Sequence, residues 1–440
     1  MSKLKSILLK KALLPIADIA MKTCIVNSYR QLQRMRSYSM DEIDQWQNEQ
    51  LIKLVHHAYN HTKYYNRLFT QKGLLPEDIK SISDLEKLPI LTKDIIRENF
   101  NDIIADNINS IPSIKSATGG STGNPLIYYQ DNRSWSMCNA NNILNWEKVG
   151  YKYGDPYVAL GSSSLFVNKS SSLKHRIYYQ LKSKIGLNGV NMSDEICSEY
   201  IALIRNKKIN YIYGYASAIY LLANYSLVQN ELLKIRACFP TSEVLTDHFR
   251  NTIQQAFQCK VLDCYGANDG GITSYAHEKG FFEVGYNCMV QLQNKDQTGY
   301  GSALLTDLFN FALPFINYKL GDEIQIEISK NKDYPYNGQV INNIHGRSSD
   351  IIQLENGHNL TGPGFTVLFK DLPVEHFCIR KTGINTIECS IIKLPDFSQN
   401  HEDIIKSTFY KQMGDNTTLN IIYSTEIPLT KSGKRQYFKN

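Results

Sequence analysis

The spacing of apolar positions predicts helices at the start of the chain and alternating strands and helices after it. Residues 1 to about 70 are predicted to be helical; the run DEIDQWQNEQLIKLVHHAYNHTKYYNRLF, from Asp41, carries apolar residues at helical spacing after an acidic start. From Ser113 onward, short strand-like runs alternate with helical segments such as EICSEYIALIRNKK and AIYLLANYSLVQNELL. This alternation predicts an α/β fold.

Three of the strand-like runs, YIYGYAS, ACFPTSEVL and KVLDCYG, each end in a turn, where α/β proteins usually place ligands. A polar joint flanked by glycines, HGRSSDIIQLENG, follows near Gly346. We therefore expect a large domain over residues 1–346 with mixed sheets and flanking helices. A small, mobile α+β lid domain is expected over 347–440, including the helical stretch NHEDIIKSTFYKQM, with a hinge between the two.

Composition indicates a soluble, folded protein. The 440 residues are enough for two or more domains, and no run of eighteen apolar residues marks a membrane span. The formal charge of +6 comes from 48 basic and 42 acidic residues without a long block of either sign, which argues against nucleic-acid binding. Nine cysteines without a Cys-x-x-Cys pair favour a reduced cytoplasm over a disulfide framework or a zinc site.

The first residues, MSKLKSILLKKALLPIADIAMK, combine lysines with short apolar runs. Because Lys10 and Lys11 interrupt the apolar region, an amphipathic helix is favoured over a signal peptide. Packing against its own domain is the simpler interpretation; peripheral contact of residues 1–22 with the inner face of the membrane is the alternative. His57 and His61 lie four apart, but without a third ligand a helix face is favoured over a metal site.

The segment SATGGSTGNPLIYY, Ser116 to Tyr129, concentrates glycine and hydroxyl residues. Backbone N–H groups at its glycines and the side-chain hydroxyls can surround phosphate oxygens. The residues concerned are Thr118, Gly119, Gly120, Ser121, Thr122 and Gly123. No Gly-Lys-Ser/Thr follows, which argues against a P-loop kinase or NTPase, and a plain surface turn is the other interpretation of this loop taken alone.

Four later segments follow this loop in order: DCYGANDGG, LPFINYKLGDE, GRSSD and a C-terminal SGK. Together the five resemble the signature series of the adenylate-forming (ANL) enzymes. The chain is most similar to the phenylacetate-CoA ligase-like branch, which includes the CapK group associated with capsule polysaccharide clusters. The resemblance covers nearly the whole chain and is densest over residues 113–350.

The resemblance assigns roles to individual residues. The glycine-rich loop would hold the β- and γ-phosphates of ATP. Tyr265 and Gly266 would lie beside the adenine and the acyl pocket, and Asp269, where the family usually has Glu, near Mg²⁺ and the α-phosphate. Asp322 would accept hydrogen bonds from both ribose hydroxyls, because a carboxylate offers two acceptor oxygens to a vicinal diol.

Three further assignments concern Arg347, Lys434 and the pair Ser242 and Glu243. Arg347 would contact ribose and phosphate. Lys434 would enter the site when the lid closes and stabilise the charge that develops at the α-phosphate. Ser242 and Glu243 would lie next to the nucleotide, in place of a usual Ser/Thr-Gly-Glu.

The chain departs from the family pattern at several positions. PTSEVL lacks the glycine of Ser/Thr-Gly-Glu, Asn317 replaces an arginine, and Ser349 stands where an acidic or lysine hinge residue is usual. We expect these changes to leave catalysis in place. A degenerate paralogue that binds a nucleotide or acyl ligand without turnover is the alternative.

The expected activity is formation of an acyl-adenylate from a carboxylic acid and ATP with Mg²⁺, then acyl transfer to an amine or thiol. Residues expected to line the acid pocket are Tyr213, Tyr215, Tyr265, Ala267 and Asn268. This polar lining makes a hydroxylated, sugar-derived or small polar acid at least as suitable as phenylacetate. Amide formation in capsule or O-antigen assembly is favoured, with a sugar nucleotide or glycan intermediate as partner.

Two alternatives to amide formation stay open. One is an acyl-CoA ligase of the phenylacetate-CoA ligase type, with CoA as acceptor. The other is a scaffold without turnover whose helical N-terminus docks onto a membrane-bound glycan complex.

Overall fold

The computed structural model describes residues 12–118, 126–161, 183–189, 192–278, 280–328, 336–347, 351–353, 359–361, 369, 372–413, 417–428 and 437–439. Its α-helices are α1 (Leu14–Met21), α2 (Ile25–Met35), α3 (Met40–His61), α4 (Lys63–Lys72), α5 (Lys93–Glu98), α6 (Phe100–Ile103), α7 (Asn132–Trp146), α8 (Asp194–Asn206), α9 (Ala216–Val228), α10 (Asp247–Phe257) and α11 (Gln399–Met413).

The strands up to the end of the large sheet are β1 (Ser113–Ala117), β2 (Ile127–Asp131), β3 (Tyr157–Gly161), β4 (Lys184–Asn188), β5 (Tyr211–Tyr215), β6 (Ala237–Thr241), β7 (Lys260–Val261), β8 (Cys264–Ala267), β9 (Ile272–Ala276), β10 (Phe282–Val284), β11 (Cys288–Gln293), β12 (Tyr300–Asp307), β13 (Tyr318–Ile328) and β14 (Gln339–Arg347). The later strands are β15 (Ile351–Gln353), β16 (Asn359–Thr361), β17 (Val374–Gly383), β18 (Thr386–Lys393), β19 (Thr418–Tyr423) and β20 (Phe438–Lys439).

The helix predicted from Asp41 consists of two helices, α3 and α4, with a break at Thr62. A capping box between Ser39 and Glu42 begins α3. Thr62 has an extended backbone, and its Oγ1 accepts a hydrogen bond from the N–H of Tyr65, so it begins a new helix after α3 ends. Apolar spacing alone did not show this break, because it continues through Thr62.

A twelve-stranded mixed sheet forms the centre of the large region. Its order is β11-β12-β13-β14-β10-β9-β8-β6-β5-β3-β4, and β7 pairs with β6. Strands β4, β3, β5, β6 and β8 run parallel, whereas every pairing from β8 to β11 is antiparallel. The change from parallel to antiparallel pairing occurs at β8, and a hairpin turn follows it. The predicted α/β architecture is confirmed.

Successive residues of β5 belong to different cores, as a strand requires when both faces of its sheet are covered. Ile212 packs with helices α8, α9 and α10. Tyr211 and Tyr213 pack on the other face, in what we call the aromatic core. Its buried rings are Trp146, Tyr151, Tyr153, Tyr157, Tyr211, Phe239 and Tyr275. At its centre Trp146 stacks on Phe239, with ring centroids 4.4 Å apart.

The C-terminal part contains a four-stranded sheet of order β19-β18-β17-β20. Ile405 and Phe409 of α11 are fully buried in its core beside Ile379 and Ile387, which is the α+β composition expected there. The predicted boundary between residues 346 and 347 falls at the last residue of β14. The division into two domains with a hinge stays a prediction.

Two sequence-level expectations concern membranes and cysteines. Within the described residues, none of the helices has the length and apolar character needed to cross a bilayer. All nine cysteines are free thiols in this structure.

Candidate active site

The stem of the glycine-rich loop is an antiparallel hairpin of β1 and β2. At its end the N–H of Thr118 donates to the carbonyl of Leu126, and the N–H of Leu126 donates to Oγ1 of Thr118, each over 2.9 Å. The two chain ends of the loop are therefore joined. The loop residues themselves, Gly119, Gly120, Ser121, Thr122 and Gly123, lie outside the described residues, so phosphate binding there stays a prediction.

The turn after β8 carries Asn268 and Asp269 and is made by two glycines with positive φ, +91° at Gly270 and +68° at Gly271. A Cβ at Gly271 would lie 2.3 Å from Oδ2 of Asp307. Only glycine fits there without displacing that carboxylate, since a side chain would be strained by both the backbone conformation and the contact. The Asp-Gly-Gly sequence thus holds Asp269 on a tight turn at the end of β8.

Two tyrosine–aspartate hydrogen bonds cross between the β8 turn and β13. The hydroxyl of Tyr265 donates to Oδ2 of Asp322 over 2.7 Å. The hydroxyl of Tyr318 donates to Oδ2 of Asp269 over 2.9 Å. Each segment supplies a tyrosine and, four residues later, an aspartate, in YGAND and YKLGD. We call these four residues the Tyr–Asp cross.

The carboxylate of Asp269 is nearly buried, with 9% of its residue surface exposed. The pKa of the Tyr318 hydroxyl is raised far above its usual range, mainly by burial and secondly by the negative charge of Asp269. Burial and the same charge also raise the pKa of Tyr128, on the loop stem. Both phenols therefore stay protonated. The charge of Asp269 thus acts on Tyr128 of the loop stem as well as on Tyr318.

Arg347 lies opposite Asp322 in the β13–β14 register. The structure describes its backbone alone, so its contact with ribose and phosphate stays a prediction. Lys434 and Ser349 lie outside the described residues. The Tyr–Asp cross and the position of Arg347 therefore bring together the predicted adenine, ribose and metal residues, and the lysine is assigned by resemblance alone.

Ser242 and Glu243 follow β6 and meet the start of α9. Ser242 has a φ of +67°, the left-handed region that favours glycine. Glycine is the residue that the family pattern has at this position, so the departure places a strained serine there. Oε2 of Glu243 accepts a hydrogen bond from the N–H of Ser217 over 2.8 Å. The carboxylate thus stabilises the first turn of α9.

Asn317 also has a positive φ, +55°, and is almost completely buried. Its Nδ2 donates to the carbonyl of Leu88 over 3.1 Å, and its own carbonyl accepts from Leu91. Asparagine tolerates the left-handed region better than arginine does. The replacement of arginine is therefore explained by a structural contact with the segment before α5.

The residues predicted to line the acid pocket lie in three surroundings. Tyr213 packs on the aromatic core, 5.5 Å from the ring of Trp146. Tyr215 is fully buried in the core of α8, α9 and α10. Ala267 and Asn268 lie at the end of β8, and Asn268 is exposed. Tyr215 and Tyr213 thus belong to different cores, and the lining of an acid pocket by these four residues and Tyr265 stays a prediction.

The sequence did not indicate the buried residues that contact Gly271 in the turn that carries Asp269. Asp307 is fully buried and accepts from the Oγ of Ser134 over 2.5 Å. Nδ2 of Asn287 donates to the carbonyl of Gly271 over 2.7 Å. Burial raises the pKa of Asp307 to about 7. No local motif marks Asp307 or Asn287, since both become relevant only through contacts with distant segments.

The two histidines of α3 that lie four residues apart, His57 and His61, have protein partners. Nε2 of His57 lies 2.9 Å from the carbonyl oxygen of Phe311, and Nδ1 of His61 lies 2.9 Å from a carboxylate oxygen of Asp106. Within the described ranges no cluster of three or more His, Cys, Asp or Glu side chains has the arrangement of a metal site.

The chain is similar in sequence to two groups of known proteins. No protein-family model matches the sequence. The chain is 24% identical over 421 residues to protein CapK of Staphylococcus aureus, covering 94% of this chain and 92% of CapK. It is 26% identical over 248 residues to a phenylacetate-coenzyme A ligase of Pseudomonas putida, covering 54% of each.

The fold is similar to that of a solved 2-hydroxyisobutyryl-CoA ligase in the postadenylation state in complex with R3-HIB-AMP. The TM-score is 0.70 at 15% identity, covering 92% of this chain and 90% of the ligase. The similarity in fold therefore extends over most of both chains.

Proposed function

We propose that this chain activates a carboxylic acid as an acyl-adenylate and transfers the acyl group to an amine or a thiol. The chain belongs to the adenylate-forming ligases, in the branch of CapK and the phenylacetate-CoA ligases. The observation that carries this proposal is the Tyr–Asp cross. It joins the residues assigned to adenine, ribose and metal at the sheet edge where the parallel strands end, a usual ligand position in α/β proteins.

The proposed first step forms the acyl-adenylate. A carboxylate oxygen of the acid attacks the α-phosphorus of ATP, and the bond from that phosphorus to the bridging oxygen breaks, releasing pyrophosphate. In the second step the amine or thiol attacks the acyl carbon, the bond to the phosphate oxygen of AMP breaks, and the nucleophile loses its proton. Acyl-amide or thioester and AMP are the products.

Asp322 and Tyr265 hold the nucleoside in this proposal. The Asp322 carboxylate accepts the ribose hydroxyls, and the Tyr265 hydroxyl, by donating to Oδ2, keeps that carboxylate in one orientation. A preoriented acceptor pair loses less freedom on binding than a mobile one.

The residues present fit a Mg²⁺ ion. Asp269 offers hard carboxylate oxygens on a tight turn, and Tyr318 orients them from the buried side. Mg²⁺ would be held by Asp269 together with phosphate oxygens of ATP, and when bound it neutralises phosphate charge. Lys434 would supply a second positive charge, at the α-phosphate.

The finer proposal is amide formation in capsule or O-antigen assembly, with the amine of an amino acid, a sugar nucleotide or a glycan intermediate as acceptor. It is supported by the similarity to CapK along 94% of the chain, against 54% for the phenylacetate-coenzyme A ligase. The exposed Asn268, three residues after Tyr265 in the sequence, favours a hydroxylated or small polar acid. The second relative favours the thiol of CoA as the alternative acceptor.

Exchange of labelled pyrophosphate into ATP tests the first step. Full-length protein is assayed with a panel of short hydroxy acids, sugar acids and aryl acids. We expect one class to support exchange and Lys434→Ala to reduce it about a hundredfold, the effect of removing one preorganised charge-stabilising group. Lys431→Ala, three residues away, is the matched control and should retain exchange. Absence of exchange with every acid, or exchange insensitive to Lys434→Ala, would show that the mechanism is wrong.

Product mass with the active acid then tests the acceptor. Amino acids, amino sugars, sugar nucleotides and CoA are supplied in parallel, and we expect an amide. A CoA thioester as the sole product would refute the amide proposal while leaving adenylation intact. Thermal stabilisation by ATP without exchange or product would identify a nucleotide-binding protein without turnover.

A further inference from the structure

The excess positive charge of the chain is concentrated at its start. Residues 1–36 contain eight of the 48 Lys and Arg residues and one of the 42 Asp and Glu residues, a formal charge of +7. The remaining 404 residues contain 40 basic and 41 acidic residues, a formal charge of −1. The overall charge of +6 is therefore a property of this one segment.

Helix α1, within that segment, is apolar on two faces. Its inner face packs Leu14 and Ala17 into the aromatic core. Its outer face leaves Leu13, Ile16 and Ile19 exposed by 39%, 62% and 78% of their surface. Ile19 is the most exposed of the large apolar side chains in the described part of the chain. Residues three apart lie on one side of a helix, so the three form a continuous apolar strip.

The orientation of α1 is fixed by Asp18, which is 5% exposed. Its Oδ1 accepts from the hydroxyl of Thr23, and its Oδ2 accepts from the N–H of Val26 at the start of α2, each over 2.8 Å. Turning α1 to bury its outer strip would break these bonds and expose Leu14. The apolar strip therefore stays outward in the folded protein.

Basic residues flank α1 in the sequence. Lys22, which caps the C-terminus of α1, is exposed, and Lys10 and Lys11, which precede the helix in the sequence, lie outside the described residues. On α2, Arg30 and Arg34 are exposed and four residues apart, on one face of the helix. With Gln33 they line an open concavity of about 510 Å³. Two guanidinium groups in a shallow concavity suit phosphate headgroups, to which arginine binds with directed hydrogen bonds.

We propose that α1 and the exposed basic face of α2 bind the surface of a bilayer containing anionic lipids. An apolar strip buried at the level of the acyl chains and basic residues among anionic headgroups are the two elements of interfacial binding. The proposal is independent of acid activation, which uses the other side chains described above. Two other partners would explain only one of the two features. A second copy of the chain would contact the apolar strip and leave the positive charge unexplained, and nucleic acid would contact the basic residues and leave the apolar strip unexplained.

Vesicle sedimentation of the full chain without nucleotide tests this inference. The vesicles are phosphatidylcholine alone or mixed with phosphatidylglycerol. We expect binding to the mixed vesicles, weakened by added salt, and at least tenfold weaker binding by the double variant Ile16→Ser/Ile19→Ser. Val228→Ser/Leu232→Ser, with comparable exposure of 71% and 68% at another site, is the matched control and should bind as wild type.

A second variant, Arg30→Gln/Arg34→Gln, separates charge from apolar burial. It should bind mixed vesicles more weakly and with less dependence on salt, while its melting temperature stays that of wild type. Equal binding to both kinds of vesicle, or full binding by Ile16→Ser/Ile19→Ser, would overturn the proposal. A third result would also overturn it: wild type does not bind vesicles and is a dimer in light scattering, whereas Ile16→Ser/Ile19→Ser is a monomer. In that case a second copy of the chain covers the apolar strip.

Discussion

Tyr265 donates its hydroxyl hydrogen to Oδ2 of Asp322 across 57 residues of sequence and 2.7 Å of space. The residues lie on β8 and β13, which are separated by β9, β10 and β14 in the order of the sheet. Tyr318 of β13 makes the reciprocal bond to Asp269. Each of the two segments that the resemblance assigns to nucleotide and metal therefore donates a tyrosine hydrogen bond to the aspartate of the other. The role of each aspartate can be tested by replacing the tyrosine that donates to it.

Tyr265→Phe should weaken ATP binding while the chain stays folded. The ring remains, but Asp322 loses the donor that orients it, at a cost of about 0.5–1.5 kcal/mol. The KM for ATP in pyrophosphate exchange should rise roughly two- to tenfold, with a smaller change in kcat. Tyr410→Phe, on the exposed surface of α11, is the control. An unchanged KM for ATP would show that this hydrogen bond does not support the nucleotide site.

Tyr318→Phe should increase the Mg²⁺ concentration needed for activity. A hydrogen-bond donor to a metal-binding carboxylate typically contributes at least tenfold to metal affinity, so the half-saturating Mg²⁺ concentration should rise about tenfold. Tyr65→Phe is the matched control, because Tyr65 is equally buried and donates to the carbonyl of Pro314 over 3.0 Å. It should lose stability without a changed Mg²⁺ requirement. If both variants shift the requirement alike, Asp269 does not hold the metal.

Asp307→Asn should change how stability depends on pH. The pKa of Asp307 in the folded chain, about 7, lies above its ordinary value of 3.8, because of burial. The folded chain therefore keeps a proton that the unfolded chain releases, and this group lowers stability as the pH rises from about 4 to about 7.

An asparagine at position 307 carries no such charge. The free energy of unfolding of Asp307→Asn minus that of wild type should therefore increase by on the order of 2 kcal/mol between pH 5 and pH 8. Urea unfolding at each pH measures the difference. Asp403→Asn, at an exposed position of α11, is the control for the replacement of an exposed aspartate. A constant difference for Asp307→Asn would mean that Asp307 is ionised throughout.

Ser242→Gly should stabilise the protein by about 0.5–1 kcal/mol. Serine at a φ of +67° is strained, and glycine removes that strain at a smaller cost in unfolded-state entropy. Ser407→Gly, in the exposed part of α11, should instead destabilise by about 0.5 kcal/mol because glycine is a poor helix residue. Urea unfolding measures both. A loss of stability in Ser242→Gly would show that the serine side chain makes a compensating contact.

Much of the architecture was predictable because it depends on local spacing. The strand-like runs became β5, β6 and β8, and the helical segment in the C-terminal part became α11. Thr62 was not predictable, because the apolar period continues through it and a single hydroxyl cap divides the helix. The resemblance of YGAND and YKLGD to family motifs indicated Tyr265, Asp269 and Asp322 as candidate site residues.

The resemblance of the motifs, in their chain order, thus predicted which residues belong to the candidate site. Their mutual contacts were decided by the tertiary fold, which brings the side chains of Tyr265 and Asp322 within 2.7 Å of each other although β8 and β13 do not pair in the sheet. Asp307 shows the same division. In the sequence it is one carboxylate among many; in the folded chain its burial behind Gly271 raises its pKa and shapes the turn that presents Asp269. Spacing along a chain encodes periodicity, whereas burial and long-range hydrogen bonds exist only once distant segments pack.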